Sequence, residues 1–400
     1  MAVFNPFVPS YKANPYLQYA RLRAEDPVHS SIAMQAWVLT RYDDCLAILR
    51  NPERFSSDGR NAGGQLGELI RQQRAESPLG QAQTLLTVDP PAHTRLRSIV
   101  TRAFTPRRVE ALRPRIEALA AELLDAAPSE GGFELMSGLA QPLPVIVIAE
   151  LLGVPASDRE RFRHWSNDLA ATTDVLNSEA VITQARQTTL ELIDYFAGFI
   201  EARRADPRDD LISALVAAQD DERLTTEEIL AFAILLLVAG NETTTNLIGN
   251  GTLALLDRPD VADRLRAAPE AIPTAIEEML RHDSPVQAVV RIATADVEIG
   301  GTSIAAGDVL MLMLGAANRD PEHFEAPDDF SADREPNRHL SFGMGPHFCL
   351  GAPLARLEAA VVFEALLRRY RSIGRAEGKA ERGGTLLLRG LTKLPLAVAV

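Results

Sequence analysis

Hydrophobic positions along this chain recur mainly at helical spacing, with a few short stretches of period two. Residues 10–27 predict a helix that stops at Asp26-Pro27. Val28 to Met34 and Ala36 to Thr40 predict a short hairpin, and Tyr42 to Leu49 an amphipathic helix closed by Asn51-Pro52. Gly59 to Gly80, rich in glycine, glutamine and charge, predicts a mobile loop with at most one helical turn. Pro106 to Asp206 reads as mainly helical, broken at 128–132 and at Val154-Pro155, while Asp168 to Ser178 shows no clean period.

The longest regular element follows. Thr225 to Glu228 fits a capping box, Thr-x-x-Glu, before an apolar run that ends at Asp257-Arg258-Pro259. That predicts a helix of about 32 residues, roughly 48 Å long. So long and apolar a helix must cross the core. Its longest unbroken apolar run, Ile229 to Gly240, is too short to span a bilayer. After Ser284-Pro285 the period changes to two. Val289 to Ile292, Val297 to Ile299 and Thr302 to Ile304 predict a small β-region with a glycine turn, and Thr385 to Val400 a hairpin near Gly390. The fold class is therefore mainly α with small β-sheets.

Composition narrows the picture. The 400 residues contain no linker, repeat or low-complexity tract, so one domain over 1–400 is expected. The 46% hydrophobic content suffices for a large core. A net charge of −13 argues against nucleic acid and anionic membranes as partners. The N-terminus lacks a basic region followed by an apolar run, so neither a signal peptide nor a membrane anchor is expected. Two distant cysteines suit a reducing, cytoplasmic setting without disulfides.

One of them, Cys45, sits in the helix after Tyr42 and reads as an ordinary core or surface cysteine. The other lies in Phe342-Gly343-Met344-Gly345-Pro346-His347-Phe348-Cys349-Leu350-Gly351. Three glycines around one sulfur permit a tight loop with φ > 0 and close backbone approach. Such a loop suits a single thiolate metal ligand tuned by N–H groups. Ala352-Pro353 then opens a helix, so Cys349 sits at an N-terminus where the dipole favours the anion. A dinucleotide fingerprint would need a glycine at Phe348, and a structural zinc site a second cysteine pair.

Phe-Gly-x-Gly-x-His-x-Cys-x-Gly resembles the haem signature of the cytochrome P-450 family. The resemblance implies the family's fold, with the long helix crossing over a haem b whose iron takes Cys349 as thiolate ligand. Ala239-Gly240-Asn241-Glu242-Thr243 resembles the family's oxygen-groove motif, with Ala239 and Gly240 beside the haem and Glu242 and Thr243 delivering protons to bound oxygen. Taken alone, Gly240 costs about 1 kcal/mol in mid-helix, and Glu242 in an apolar run calls for a partner.

His93 and Arg97 lie four apart on one helix face, a fork for a carboxylate. In the family they match propionate ligands, as do Arg291 and His347; Phe342, Gly343 and Gly351 belong to the cofactor loop. Glu278 and Arg281 on another helix, joined by Arg334 with Arg338 as rival, match a structural network that holds the cysteine loop. Leu85, Leu86, Val238, Val289 and Val290 are expected around a hydrophobic substrate. Arg95 to Arg115 holds seven arginines and one acid, Glu110, a local inversion of sign. Arg102, Arg107 and Arg108 are its candidates for docking an acidic ferredoxin, which with its ferredoxin reductase would be a separate partner, since no fused reductase is expected.

The function so implied is a monooxygenase that uses dioxygen and two electrons to oxidise a small to medium hydrophobic substrate. A peroxide-driven peroxygenase of the same fold and a non-enzymatic haem sensor are the alternatives. Departures are mild: Met344 stands where histidine is frequent, and Glu242 where aspartate is equally usual.

Overall fold

The computed structural model describes residues 3–79, 82, 84–128, 130–173, 178–220 and 224–400. Its axis is the helix Thr226–Leu256. The capping box is formed: the Thr225 hydroxyl accepts from Glu228 N at 3.2 Å, and the Glu228 carboxylate from Thr225 N at 3.0 Å. The helix runs unbroken through Gly240. A β-carbon there would meet Ile148 Cδ1 at 2.7 Å, so the glycine lets the neighbouring helix Pro142–Leu151 pack close. Among the described residues this is the one helix with the length and composition to cross a membrane, and more than half of its apolar stretch is buried inside the protein. Tertiary burial satisfies the same apolar sequence that a bilayer would.

Most helices pack around this axis in one large hydrophobic cluster. A second cluster lies on a five-stranded sheet whose order is 28–31, 36–39, 309–312, 289–293 and 55–56. Its strand Ala36–Leu39 pairs parallel with Val309–Leu312, which pairs antiparallel with Val289–Ala293. A third cluster joins the helices Ile272–His282 and Ala352–Arg369 to the central helix.

Several expectations change. Residues 10–27 form two helices, Pro9–Ala13 and Tyr16–Glu25, because Asn14 is extended before Pro15. The stretch expected as a loop after Gly59 contains a helix of 12 residues, Gly64–Ala75, with a 3₁₀ turn before it; Gly80 lies outside the described residues. The break at 128–132 becomes a strand, Glu130–Glu134, recruited by the C-terminal strand Pro395–Ala399. Of the patternless stretch, 171–173 is a 3₁₀ turn and 174–177 lie outside the described residues. The C-terminal turn is at Thr385–Leu388, between Glu381–Gly384 and Arg389–Lys393. Gly390 sits inside the second of those strands, where a β-carbon would fall 1.7 Å from Asn246 Oδ1 of the central helix.

Candidate functional site

The cysteine loop is pinned from three sides. Phe342 packs against the third cluster, Met344 against the second and Leu350 against the first. Gly343 and Gly345 adopt φ of 68° and 72°, the left-handed region that glycine enters without strain. A β-carbon on Gly345 would also meet Leu49 O at 2.4 Å. Gly351 differs from the expectation: its φ is −81°, and it is the N-cap of Ala352–Arg369. Cys349 N donates to Phe342 O at 2.9 Å, closing the loop.

Burial pushes the Cys349 thiol up, against the N–H groups of Gly351 and Ala352 and the Arg97 and Arg356 cations, which pull it down. The helix N-terminus alone therefore does not make a thiolate here. A metal cation across from the sulfur would, since a coordinating thiol is deprotonated outright. Cys45, by contrast, is fully buried with its thiol toward Leu39 O, a core residue.

Beside the loop four basic side chains converge from three elements. His93 and Arg97 come from the helix Ala92–Ala103, Arg291 from the sheet and His347 from the turn Gly345–His347. The rings of His93 and His347 lie 4.2 Å apart. Burial and the neighbouring arginines pull both imidazoles down, His347 to about 3, so they stand neutral beside two cations. Burial lowers Arg291 to about 10, which still leaves it charged at neutral pH. Among the described residues neither Arg97 nor Arg291 has an ion-pair partner, and the buried His93 Nε2 has no hydrogen-bond partner. His347 Nε2 reaches Ser57 Oγ at 3.0 Å, and the Leu85 backbone lies beside it. Two desolvated guanidiniums and an orphaned imidazole nitrogen fit a pair of carboxylates such as the haem propionates.

On the central helix Ala239 is exposed, while Val238, Gly240, Glu242 and Thr243 are half-buried on a mostly buried rod. Glu242 Oε2 is buried with no partner, and burial pushes the carboxyl up to about 7. Thr243 Oγ1 donates to Ala239 O at 2.8 Å, bonding back to its own helix.

The Glu278 network is fully formed. Arg281 donates two bonds to Glu278, at 2.7 and 2.8 Å, and Arg334 Nε reaches both carboxylate oxygens at 3.1 and 3.2 Å. Ser331 N and Asn337 Nδ2 add two more. Arg338 takes no part in it; its carbonyl accepts from Tyr42 Oη instead.

The pocket residues do not stay together. Strand alternation puts Val289 and Val290 on opposite faces, so they cannot line one wall: Val289 packs on the sheet cluster, and Val290 is 39% exposed. Leu85 is buried, Leu86 is 60% exposed, and Val238 packs on the main cluster. Arg102, Arg107 and Arg108 are exposed with no ion pair among the described residues. Of the other arginines of that segment, Arg95 pairs with Glu228, Arg113 with Glu110 and Arg115 with Glu150, while Arg97 belongs to the basic cluster.

Sequence reasoning missed Ser57, Arg356 and Glu358. Ser57 carries no motif. Arg356 lies 4.5 Å over the Phe342 ring and pairs with Glu277 at 2.7 Å, bracing the loop. Glu358 is fully buried and burial pushes it up to about 8; an acid inside Leu357-Glu358-Ala359-Ala360-Val361 was its signal.

The family model for cytochrome P450 matches residues 47–382. Polyketide biosynthesis cytochrome P450 PksS of Bacillus subtilis (strain 168) is 42% identical over 408 residues, covering 99% of each chain. Its solved structure superposes with a TM-score of 0.90 over 100% of both chains. Cytochrome P450 monooxygenase PikC of Streptomyces venezuelae is 43% identical over 96% of this chain and 91% of its own. P450BioI, solved in complex with hexadec-9Z-enoic acid ligated acyl carrier protein, is 37% identical with a TM-score of 0.88, over 97% of this chain and 99% of its own. The chain belongs to the cytochrome P450 family. It is a haem-thiolate monooxygenase, an oxidoreductase whose cofactor is haem iron.

Proposed function

We propose that the protein, acting as one haem domain, inserts an oxygen atom from dioxygen into a small to medium hydrophobic substrate, with Cys349 as iron ligand and Glu242 and Thr243 as the proton path. The observation that carries the reading is the orphaned Glu242 carboxyl, buried and held near pKa 7 in the central helix. A general acid works best when its pKa lies near the working pH.

When bound, thiolate-ligated haem supplies dioxygen binding and O–O cleavage. The chain's own residues do the rest. Arg97 and Arg291 would hold the two propionates, with His93 Nε2 and His347 beside them, and would so orient the group. The N–H groups of Gly351 and Ala352 steady the sulfur. Glu242 holds a proton at one carboxyl oxygen and releases it at neutral pH. Thr243, next in the chain, keeps its oxygen lone pairs free to accept while its proton goes to Ala239 O.

Electrons arrive from a separate acidic ferredoxin-type protein at Arg102, Arg107 and Arg108, a reading supported by their exposure and by the absence of an ion pair to them among the described residues. The names of PksS and of P450BioI with its acyl cargo support a polyketide-like or fatty-acyl substrate.

The test is the absorption spectrum of the reduced protein under carbon monoxide. A strongly red-shifted Soret band, lost in Cys349→His, is expected. A band at the histidine-ligated position in the unaltered protein, or no retained haem, would overturn the assignment.

A further inference from the structure

A cleft of about 190 Å³ lies outside the haem site, between the N-terminal segment and the tip of the C-terminal hairpin. For scale, a cavity of about 150 Å³ holds benzene. Its outer lining includes Phe7 and Leu388; its more shielded lining includes Tyr11, Tyr19, Gln287 and Leu386. Tyr11 is at 7%, Tyr19 at 1% and Gln287 at 2% exposure.

The hydrogen bonds of this shielded lining run in one direction. Gln287 Nε2 donates to Ser284 O at 2.7 Å, and because a carbonyl can only accept, this fixes the amide's orientation. Gln287 Oε1 therefore faces Tyr19, whose hydroxyl donates to it at 3.1 Å. With that proton committed, the 2.8 Å bond between Tyr11 and Tyr19 must be donated by Tyr11. The chain of donors starts at Tyr11, so its phenolic oxygen is left with lone pairs and no proton to offer. Burial raises both hydroxyls above their ordinary range, so the pattern persists at neutral pH. Arg389, also at the cleft, has its guanidinium bound to Asp283 and to the carbonyls of Lys12 and Ala13. It is not available to an anion; Lys12, which also lines the cleft, is exposed to solvent.

We infer that this cleft is a second small-molecule site, built for a neutral ligand with an apolar, ring-sized body and one hydrogen-bond donor, a phenol or alcohol, donating to Tyr11 Oη. Its outer wall is the hairpin, whose strand Arg389–Lys393 also meets the central helix: Asn250 Nδ2 donates to Arg389 O at 3.0 Å. A ligand here therefore touches an element that the oxygen-binding helix also holds.

The experiment uses the haem-loaded enzyme labelled with 3-fluorotyrosine, with imidazole saturating the iron so that the haem side cannot report. The chain has six tyrosines, assigned one by one through Tyr→Phe variants. Titration with p-cresol is expected to shift the Tyr11 and Tyr19 fluorine signals saturably and to leave Tyr42, Tyr195 and Tyr370 in place. Toluene, which lacks the donor, should bind about tenfold more weakly, the worth of one hydrogen bond. Tyr11→Phe should weaken p-cresol by a similar factor, read at Tyr19. Phe7→Ala, at a side chain 48% exposed and safe for folding, should weaken both probes. The inference fails if no saturable shift occurs, if toluene matches p-cresol, if p-toluate binds more tightly than p-cresol, or if neither variant changes affinity.

Discussion

Glu278 and Glu242 are both shielded carboxyls on helices, and their surroundings drive them in opposite directions. Burial alone would raise Glu278, but Arg281, Ser331 N and Arg334 hold it below the ordinary carboxylate range. Every lone pair has a donor, and the side chain stays charged. Glu242 has burial and nothing to offset it, so it rises to about 7. A saturated buried acid is a structural strut, whereas an unsaturated one is a proton store. The chain places the first among Arg281 and the segment 331–337 that precedes the cysteine loop, and the second on the central helix.

The comparison breaks most visibly at the strut. Glu278→Ala should cost about 3–5 kcal/mol, because it leaves two guanidiniums without their carboxylate. Urea denaturation would show it; a loss under 1 kcal/mol would mean that the network is not needed to hold the loop. At the proton store the expected damage is to chemistry. Glu242→Gln should lower product formed per electron on the order of 10²-fold, with stability unchanged or improved. Equal coupling in the variant would remove Glu242 from the proton path.

The pH dependence sharpens the same contrast. Between the ordinary value of 4.5 and about 7, folded Glu242 keeps a proton that the unfolded chain has lost. Stability should therefore fall as pH rises through that window, by on the order of 2 kcal/mol, and level off above it. Glu278 works the other way: its contribution is present above 4.5 and is lost as pH falls through its lowered value. Glu358 titrates with the same sign as Glu242, so the difference between the unaltered protein and Glu242→Gln isolates Glu242. If that difference is flat from pH 5 to 8, the carboxyl is not held neutral.

The smallest effect belongs to the surface. Arg107→Glu with Arg108→Glu should slow reduction by an acidic ferredoxin about tenfold at low salt and scarcely at high salt, with stability moved by less than about 0.5 kcal/mol. A salt-independent rate equal to that of the unaltered protein would place the electron donor elsewhere.

Much of this was legible in the chain. The capping box, the end of the central helix before Pro259 and the glycine turn between 297–299 and 302–304 depend on residues a few positions apart. So does the ten-residue frame of Cys349. Other features were not legible because they are long-range. The helix Gly64–Ala75 hides in a polar sequence with little apolar signal. Val289 and Val290 looked equivalent until strand register set them on opposite faces. Arg334 and Arg338 are near neighbours of the same type, and only the path of the chain around Glu278 separates them.

The amino-acid sequence by itself determined the family, the glycine-framed cysteine loop, the long core helix and the residue types of the basic cluster, since each rests on short spacings that local geometry enforces. Tertiary structure alone decided that Arg97, Arg291, His93 and His347 share one desolvated space in which, among the described residues, neither arginine forms an ion pair. It also decided that Glu242 is left without a donor while Glu278 has several. The reason is physical: a side chain's charge state and task depend on what is packed against it, and its neighbours in space come from distant segments, His93 and His347 being 254 residues apart and Ser57 and His347 290.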